Sequence, residues 1–172
     1  MTTLIISSSL STESKSFLLC NKAKNELSKK NINCEIIDAR EIQLTACHYN
    51  QSSSMNFLTN KISKADNYII GMGVHNYSIN DSLKIILDNC FRNVEGKFFG
   101  ILCAAGGEKS YLSTMHLTQI CMNEWRMIQL PRIIYATGKD FEKNQIISKD
   151  LNKRILKFSE EFINIGHKLM SS

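Results

Sequence analysis

The feature that most constrains the fold of this chain is an apolar run that ends abruptly in hydroxyl side chains: Leu4-Ile5-Ile6-Ser7-Ser8-Ser9-Leu10-Ser11-Thr12-Glu13-Ser14-Lys15-Ser16. The β-rich run predicts a strand, and the amphipathic segment from Lys15 to Lys30 predicts a helix after it. Open α/β sheets bind anions at such a strand-loop-helix junction, because the first helical turn leaves backbone N–H groups unpaired and carries the positive end of the helix dipole. The sequence therefore predicts a domain that begins with an anion-binding loop.

The absence of glycine from this loop indicates which anion it suits. A dinucleotide pyrophosphate requires a G-x-G-x-x-G turn so that no side chain projects into it, and residues 7–16 contain no glycine. A terminal phosphate has several free oxygens that hydroxyls and amides can surround, so the loop favours a mononucleotide such as FMN over NAD. Serine and threonine also cap helices commonly, so a plain helix cap is the alternative interpretation.

Length and composition restrict the class of protein. With 172 residues, of which 43% are hydrophobic and 22% charged, the sequence predicts a single domain over residues 1–172. No leader opens the sequence and no apolar run is long enough to cross a bilayer, so we expect a cytoplasmic protein without a membrane partner. The formal charge of +5 comes from dispersed lysines, which argues against a nucleic-acid partner.

The cysteines do not form a metal-binding or disulfide pattern. The six residues are spread over predicted helices, strands and a loop, without a C-x-x-C pair or a paired Cys/His spacing. We therefore predict no metal site. Most of these cysteines are interpreted as small buried hydrophobes in a reducing compartment.

Strand and helix patterns alternate along the rest of the chain. Further strands are predicted at residues 34–37, 67–72 and 98–104, and in a fifth region broken by Pro131. The last helix carries an apolar stripe predicted to pack in the core: Ile147, Leu151, Ile155, Phe158, Phe162, Ile165 and Leu169. This alternation predicts a three-layer α/β sandwich with a five-stranded parallel sheet in the flavodoxin-like strand order 2-1-3-4-5. The long loop at residues 39–55 has no predicted role.

Three loops of unusual composition follow the first, third and fourth predicted strands. They are the serine-rich loop, the segment Gly71-Met72-Gly73-Val74-His75-Asn76-Tyr77-Ser78-Ile79-Asn80, and Ala105-Gly106-Gly107. Each has a plain structural explanation, such as a tight turn at the glycine pair. In the predicted strand order, however, ligands bind beyond the carboxyl ends of these same strands. The coincidence of the three loops at one edge of the sheet therefore predicts a ligand site.

Together the three loops resemble the motifs of the NADPH-dependent FMN reductase family. The family's first motif, G-S-x-R-x-x-S-x-N, is similar to residues 8–16, with Ser9 and Ser14 matching. Its second motif, P-E-Y-N-G-S-I-P-x-x-L-K-x-x-L-D, resembles residues 73–88, and its third, S-G-G, corresponds to residues 105–107. The resemblance spans most of the chain and implies a flavodoxin-like fold.

The sequence departs from the family motifs at four positions. Ser11 replaces the family's phosphate-binding arginine and Ser16 replaces an asparagine, while Val74 and His75 replace the Glu and Tyr beside the flavin ring. A loop arginine supplies a charge-assisted contact that serine lacks. The resemblance therefore implies weak or exchangeable FMN binding, with Lys15 as a partial substitute for the arginine.

The resemblance implies an oxidoreductase that uses FMN and NADPH or NADH. Hydride passes from the nicotinamide to N5 of the flavin without a protein acid or base, so no catalytic side chain is implied. Electrons then go to a small-molecule acceptor, which is a flavin, quinone, azo dye or metal oxyanion, and the family's common homodimers or homotetramers are implied here too. The implied FMN-binding residues are Ser9, Ser11, Ser14 and Ser16 on the phosphate, and Gly73, Val74, His75, Asn76, Tyr77, Ala105, Gly106 and Gly107 against the ring.

Two other functions are compatible with the fold. A flavodoxin-like electron carrier is one, although such carriers are usually strongly acidic and this chain has a net positive charge. A non-enzymatic flavin-binding or interaction domain with a decayed site is the other, and the missing loop arginine is the feature that keeps this alternative open. A phospho-acceptor receiver domain is disfavoured, because the first strand ends in serines and not in an acidic cluster that would hold Mg²⁺.

Overall fold

Strands and helices alternate from the first residues onward, as the apolar periodicity predicts. The computed structural model describes residues 1–171. Its α-helices are α1 (Lys15–Ser28), α2 (Ser53–Lys64), α3 (Asp81–Cys90), α4 (Ser113–Trp125) and α5 (Lys149–Met170). Its strands are β1 (Thr2–Ser7), β2 (Asn33–Asp38), β3 (Asn67–His75), β4 (Ser78–Ile79), β5 (Phe98–Ala104), β6 (Ile128–Gln129), β7 (Ile134–Ala136), β8 (Phe141–Glu142) and β9 (Gln145–Ile146).

The main sheet confirms the α/β class and corrects the predicted strand count. Its order is β2-β1-β3-β5-β6, with β7 also paired to β5, and these pairs are parallel. The sheet has seven strands and not five. One added strand is β4, which folds back antiparallel on β3 and shifts the later strand numbers. The other arises because the fifth position is divided into β6 and β7 around Pro131, which has no N–H to donate to a ladder.

Helices cover both faces of the sheet, which makes the predicted three layers. Along β1, Ile6 belongs to a core cluster shared with α2, α3 and α4, whereas Ile5 belongs to the cluster shared with α1 and α5. Neighbouring residues of a strand point to opposite faces, so β1 contributes to both clusters. The sheet is therefore buried between two helical layers, and its edges remain available for a site.

Helix α5 confirms most of the predicted apolar stripe. Leu151, Ile155, Phe158 and Phe162 are fully buried, whereas Ile147 and Leu169 are 51% and 39% exposed, contrary to the prediction. The 22 residues of α5 extend about 33 Å, while the seven residues of β5 extend about 23 Å, so the end of the helix at Leu169 projects beyond the sheet. Ile147 precedes α5 and is not part of its buried face. Within residues 1–171, no helix has the length and hydropathy needed to cross a membrane.

The cysteines behave largely as the sequence predicts. All six are free thiols, and the four buried ones are Cys20, Cys90, Cys103 and Cys121. Burial raises the pKa of the Cys103 and Cys121 thiols to about 12, so both stay protonated at neutral pH. Cys34 and Cys47 are only partly buried.

Candidate functional site

The structure brings the three unusual loops to one edge of the sheet. In the parallel register, Ser7 of β1 lies opposite Gly71 of β3, and Gly73 of β3 lies opposite Ala104 of β5. Adjacent strands are about 4.8 Å apart, so the loops that follow them leave the sheet side by side. The three loops therefore form one continuous surface at the carboxyl edge.

Two serines at the start of α1 are buried and face each other. Ser14 caps the helix, because its Oγ accepts a hydrogen bond from the Phe17 N–H at 3.1 Å. The Ser14 and Ser16 hydroxyl oxygens are 3.1 Å apart, and both residues are buried. The helix-cap interpretation of Ser14 is thus correct, and the same hydroxyl lies at the positive end of the helix dipole.

Two further serines organise the segment before the helix, which we call the serine loop (residues 8–14). Ser9 Oγ accepts from the Ser11 N–H, and Ser11 Oγ accepts from the Glu13 N–H, both at 3.3 Å. A serine hydroxyl that accepts a bond still has its own O–H to donate. Hydrogen bonds to its own serine hydroxyls therefore hold the conformation of the loop, and the O–H groups of these serines remain able to donate to an anion.

Ser7, at the base of the serine loop, carries a buried polar atom that the chain does not pair. Its side chain is fully buried, and its Oγ has no hydrogen-bond partner within residues 1–171. A buried hydroxyl without a partner costs free energy, so native proteins rarely leave one unpaired. Because the atom has no surface accessible to solvent, it marks an unpaired group beneath the serine loop and not a ligand contact.

The second loop is a tight hairpin with a strained turn. Asn76 and Tyr77 join β3 to β4 with φ values of 48° and 60°, as a two-residue hairpin of the favoured hand requires. A tyrosine at positive φ is unusual, and its side chain is 65% exposed. Val74 packs partly on the core, and exposed His75 places Nδ1 3.5 Å from Asp81 Oδ1. Strained residues concentrate at functional sites, which makes Tyr77 a candidate ligand contact.

Three glycines at this edge leave backbone open to solvent, and we call Gly73, Gly106 and Gly107 the glycine floor. In the described part of the chain, a Cβ placed on any of the three meets no atom within 4 Å other than those of its chain neighbours. By contrast, a Cβ on Gly71 would lie 2.2 Å from Cys20 Sγ, and one on Gly100 would lie 2.6 Å from the Phe158 ring. Packing within the chain thus explains why Gly71 and Gly100 are glycines, but it does not explain the three residues of the glycine floor. An open backbone surface of this kind suits a flat ligand laid against it.

The glycine pair of the third loop is held by hydrogen bonds. The Tyr135 hydroxyl donates to the Gly107 carbonyl at 2.6 Å and lies 2.9 Å from Ser110 Oγ. The Ala105 N–H donates to the Ala136 carbonyl at 2.9 Å, which continues the β5–β7 ladder. Beside the floor opens a cavity of about 500 Å³, lined by Tyr77, Gly107, Glu108, Lys109 and Ser110. Its volume is in the range of small-molecule sites.

Asn80 connects the first two loops, a role that the sequence did not reveal. Its Oδ1 accepts from the Gly73 N–H at 3.1 Å and from the Ser8 hydroxyl at 3.0 Å. Its Nδ2 donates to the Ser8 carbonyl at 3.1 Å and to Ser82 Oγ at 2.7 Å. Asn80 precedes α3 as expected of a cap, but its side chain makes no capping bond. An asparagine at a helix start looks the same in sequence whether it caps or cross-links.

A fourth loop, residues 137–141, was also missed. It begins with a capping box between Thr137 and Asp140, and Lys139 forms an ion pair with Glu108 of the third loop. A Cβ on Gly138 would lie 3.8 Å from the Gly106 carbonyl oxygen and 4.0 Å from Lys15 Nζ. The fourth loop therefore lies between the serine loop and the third loop, and the Lys15 ammonium lies beside it.

Comparison with known proteins agrees with this geometry. The sequence model of the NADPH-dependent FMN reductase family matches residues 1–142, which include all four loops. An NAD(P)H-dependent FAD/FMN reductase of Geobacillus thermodenitrificans is 25% identical over 146 residues, covering 81% of this chain and 79% of that protein.

Two solved structures share the fold. An oxidoreductase from Corynebacterium diphtheriae has a TM-score of 0.79 at 20% identity, with 98% of each chain covered. The flavoenzyme NAD(P)H:(acceptor) oxidoreductase from Paracoccus denitrificans has a TM-score of 0.77 at 16% identity, with 97% of each chain covered. The resemblance seen in the three sequence motifs is thus confirmed by the family match, and the chain belongs to the NADPH-dependent FMN reductase family.

Proposed function

We propose that the carboxyl edge of the sheet holds FMN and that residues 1–172 act as one FMN-binding domain of a cytoplasmic enzyme. The enzyme passes hydride from NADPH or NADH to FMN and electrons onward to a small-molecule acceptor. The observation that carries this proposal is the glycine floor beside the serine loop, because it supplies an open backbone surface next to an anion-binding helix start. Six free thiols support a reducing compartment such as the cytoplasm.

In this proposal the residues of the chain bind FMN and orient it. Bound FMN would supply the hydride acceptor, which is chemistry that no side chain provides. Hydroxyls of the serine loop and the first amides of α1 hold the phosphate: Ser9, Ser11, Ser14 and Ser16. Backbone and side chains of the second and third loops lie against the ring: Gly73, Val74, His75, Asn76, Tyr77, Ala105, Gly106 and Gly107. Backbone N–H groups near the pyrimidine end would stabilise negative charge on the reduced ring.

The phosphate site is tested by removing hydroxyls from it. We expect Ser9→Ala with Ser14→Ala to weaken FMN binding at least about tenfold, because each hydrogen bond to a charged group contributes about 1.5–3 kcal/mol. Flavin fluorescence quenching measures the dissociation constant. The matched control is Ser148→Ala, which removes the cap of α5, where Ser148 Oγ accepts from the Leu151 N–H at 3.1 Å.

The two variants separate a cap from a ligand group. Both lose a helix cap, at a cost of about 1 kcal/mol in unfolding free energy. Only the first is expected to lose FMN affinity. If both bind FMN as the unaltered protein does, Ser9 and Ser14 act in the fold and not in the phosphate site.

Turnover is tested by the visible spectrum of the FMN-loaded protein. We expect the yellow absorption to bleach when NADPH or NADH is added without oxygen, and to return when an acceptor such as a quinone is added. A loaded protein that neither nucleotide bleaches would be an electron carrier or a flavin-binding module. A protein that takes up no FMN at high concentration would refute the proposed function.

We also propose that the enzyme is a homodimer or homotetramer. Support comes from a segment around α4 with exposed large apolar side chains: Tyr111, Leu112, Met115, Met122 and Ile128. Contiguous exposed apolar surface is typical of interfaces. A groove of about 890 Å³ lies next to it, between α3 and α4.

The oligomer is tested by sedimentation equilibrium. We expect a mass two or four times that of the 19.6 kDa chain, and a lower mass for Leu112→Glu combined with Met122→Glu, because charges at an apolar interface are costly to bury. Phe57→Glu, an exposed apolar residue on α2, is the control that leaves the mass unchanged. A monomeric unaltered protein would contradict the proposal.

A further inference from the structure

Arg40, on the turn that follows β2, reaches the serine loop from a different part of the chain. Its Nη1 donates to the Thr12 carbonyl at 3.3 Å, and its Nε lies 2.8 Å and 3.0 Å from the two Asp38 carboxylate oxygens. Its Nη2 also donates to Asp38. The guanidinium carbon lies 4.7 Å from the centre of the Phe17 ring, in the first turn of α1. One side chain thus contacts β2, the serine loop and α1.

The contact with Thr12 constrains the direction of a loop amide. In a trans peptide the C=O and the following N–H point in opposite directions. When the Thr12 carbonyl is held toward Arg40, the Glu13 N–H must point to the other side, where it meets Ser11 Oγ at 3.3 Å. Arg40 therefore fixes a peptide whose N–H faces the interior of the serine loop.

The ion pair between Arg40 and Asp38 indicates whether Arg40 acts through its charge or through its geometry. The Asp38 side chain is only 11% exposed, whereas Arg40 lies at the surface with 29% of its side chain exposed. Asp38 holds the planar guanidinium at two points and leaves Nη1 aimed at the loop. Because the carboxylate neutralises the guanidinium, Arg40 acts through geometry more than through its charge.

We propose that Arg40 is a positioning residue of the FMN phosphate site, held by Asp38, in a chain whose serine loop carries Ser11 at the family's arginine position. This inference rests on the proposed function. Arg40 orders the serine loop from outside, so that its N–H and O–H groups face the phosphate. The arginine that stabilises the serine loop thus lies outside the loop, on the turn after β2.

The test compares FMN with riboflavin, which lacks the phosphate. We expect Arg40→Gln to weaken FMN binding about tenfold, because the serine loop would be less well ordered around the phosphate, and to leave riboflavin binding unchanged. Arg40→Lys should behave like Arg40→Gln, because an ammonium cannot reproduce the planar fork. The matched control is Arg132→Gln, which breaks a pair of similar geometry between Arg132 and Glu161, at 2.7 and 2.9 Å, away from the site.

A second measurement does not require flavin. We expect faster hydrogen exchange of the amides of residues 11–14 in Arg40→Gln than in the unaltered protein or Arg132→Gln. Unchanged exchange, equal loss of FMN and riboflavin, or full recovery of FMN affinity by Arg40→Lys would each overturn the inference. If the unaltered protein binds neither flavin while Arg40→Gln still speeds exchange, the proposed function is refuted and Arg40 remains supported as the residue that orders the loop.

Discussion

Gly107→Val is expected to weaken FMN binding by about a hundredfold, because fitting extra atoms into an occupied contact surface costs up to about 3 kcal/mol. Gly107 has φ −158° and ψ −178°, an extended conformation that valine adopts readily. Within residues 1–171, and apart from its two chain neighbours, no atom lies within 4 Å of a Cβ at this position. The chain therefore leaves room for a Cβ at this position, and a ligand lying on the glycine floor would meet the added side chain. Isothermal titration calorimetry with FMN and urea unfolding measure the two effects, and we expect unfolding free energy to change little.

The control for this variant is Gly100→Ala, for which we expect a loss of unfolding free energy and no loss of FMN affinity. Its Cβ would lie 2.6 Å from the Phe158 ring in the core, so overpacking should cost about 1–3 kcal/mol of unfolding free energy. The folded fraction should still bind FMN normally, because Gly100 lies within β5 and away from the carboxyl edge. Wild-type FMN affinity in Gly107→Val would show that the ring does not lie on the glycine floor.

The glycines also show where inference from sequence alone ends. Gly71 and Gly73 are two residues apart on β3 and look equivalent in the sequence. Gly71 is required because Cys20 of α1 packs against it, whereas a Cβ on Gly73 would meet no atom within 4 Å among the residues that the structure describes. That difference depends on how α1 lies on the sheet, which is tertiary information. The sequence could therefore predict a glycine-rich loop but not which glycine faces a ligand.

Strong local patterns were predicted well. The continuous apolar run of β5 was predicted with its observed bounds, Phe98–Ala104, because a strand buried on both faces leaves no polar interruption. β3 runs three residues beyond its predicted end, to His75, because β4 pairs with it and extends the ladder. The fourth loop and the contacts of Arg40 were not predicted, since they join segments far apart in the chain.

Asn80→Ala tests the cross-link between the first two loops, and we expect it to lower the unfolding free energy by about 3 kcal/mol. Asn80 is 1% exposed, and its removal leaves the partly buried Gly73 N–H without its side-chain partner, while the Ser8 hydroxyl keeps only its bond to the Gly71 carbonyl at 2.8 Å. Because the serine loop would then be joined to β3 only through the bonds of Ser8 to the Gly71 carbonyl and would be held less firmly against the hairpin, FMN affinity should also fall, by about tenfold. Urea unfolding and flavin fluorescence measure the two losses.

Asn67→Ala separates the two effects, because Asn67 is as buried as Asn80 but lies at the opposite end of β3. It accepts a hydrogen bond from Thr3 Oγ1 at 2.7 Å, at the amino edge of the sheet. We expect Asn67→Ala to lose about 1–2 kcal/mol of unfolding free energy and no FMN affinity in the folded protein. If the two variants lose stability and FMN affinity in the same proportion, Asn80 serves only the fold. If Asn80→Ala alone loses FMN affinity, the asparagine sets the distance between the phosphate loop and the hairpin beside the ring.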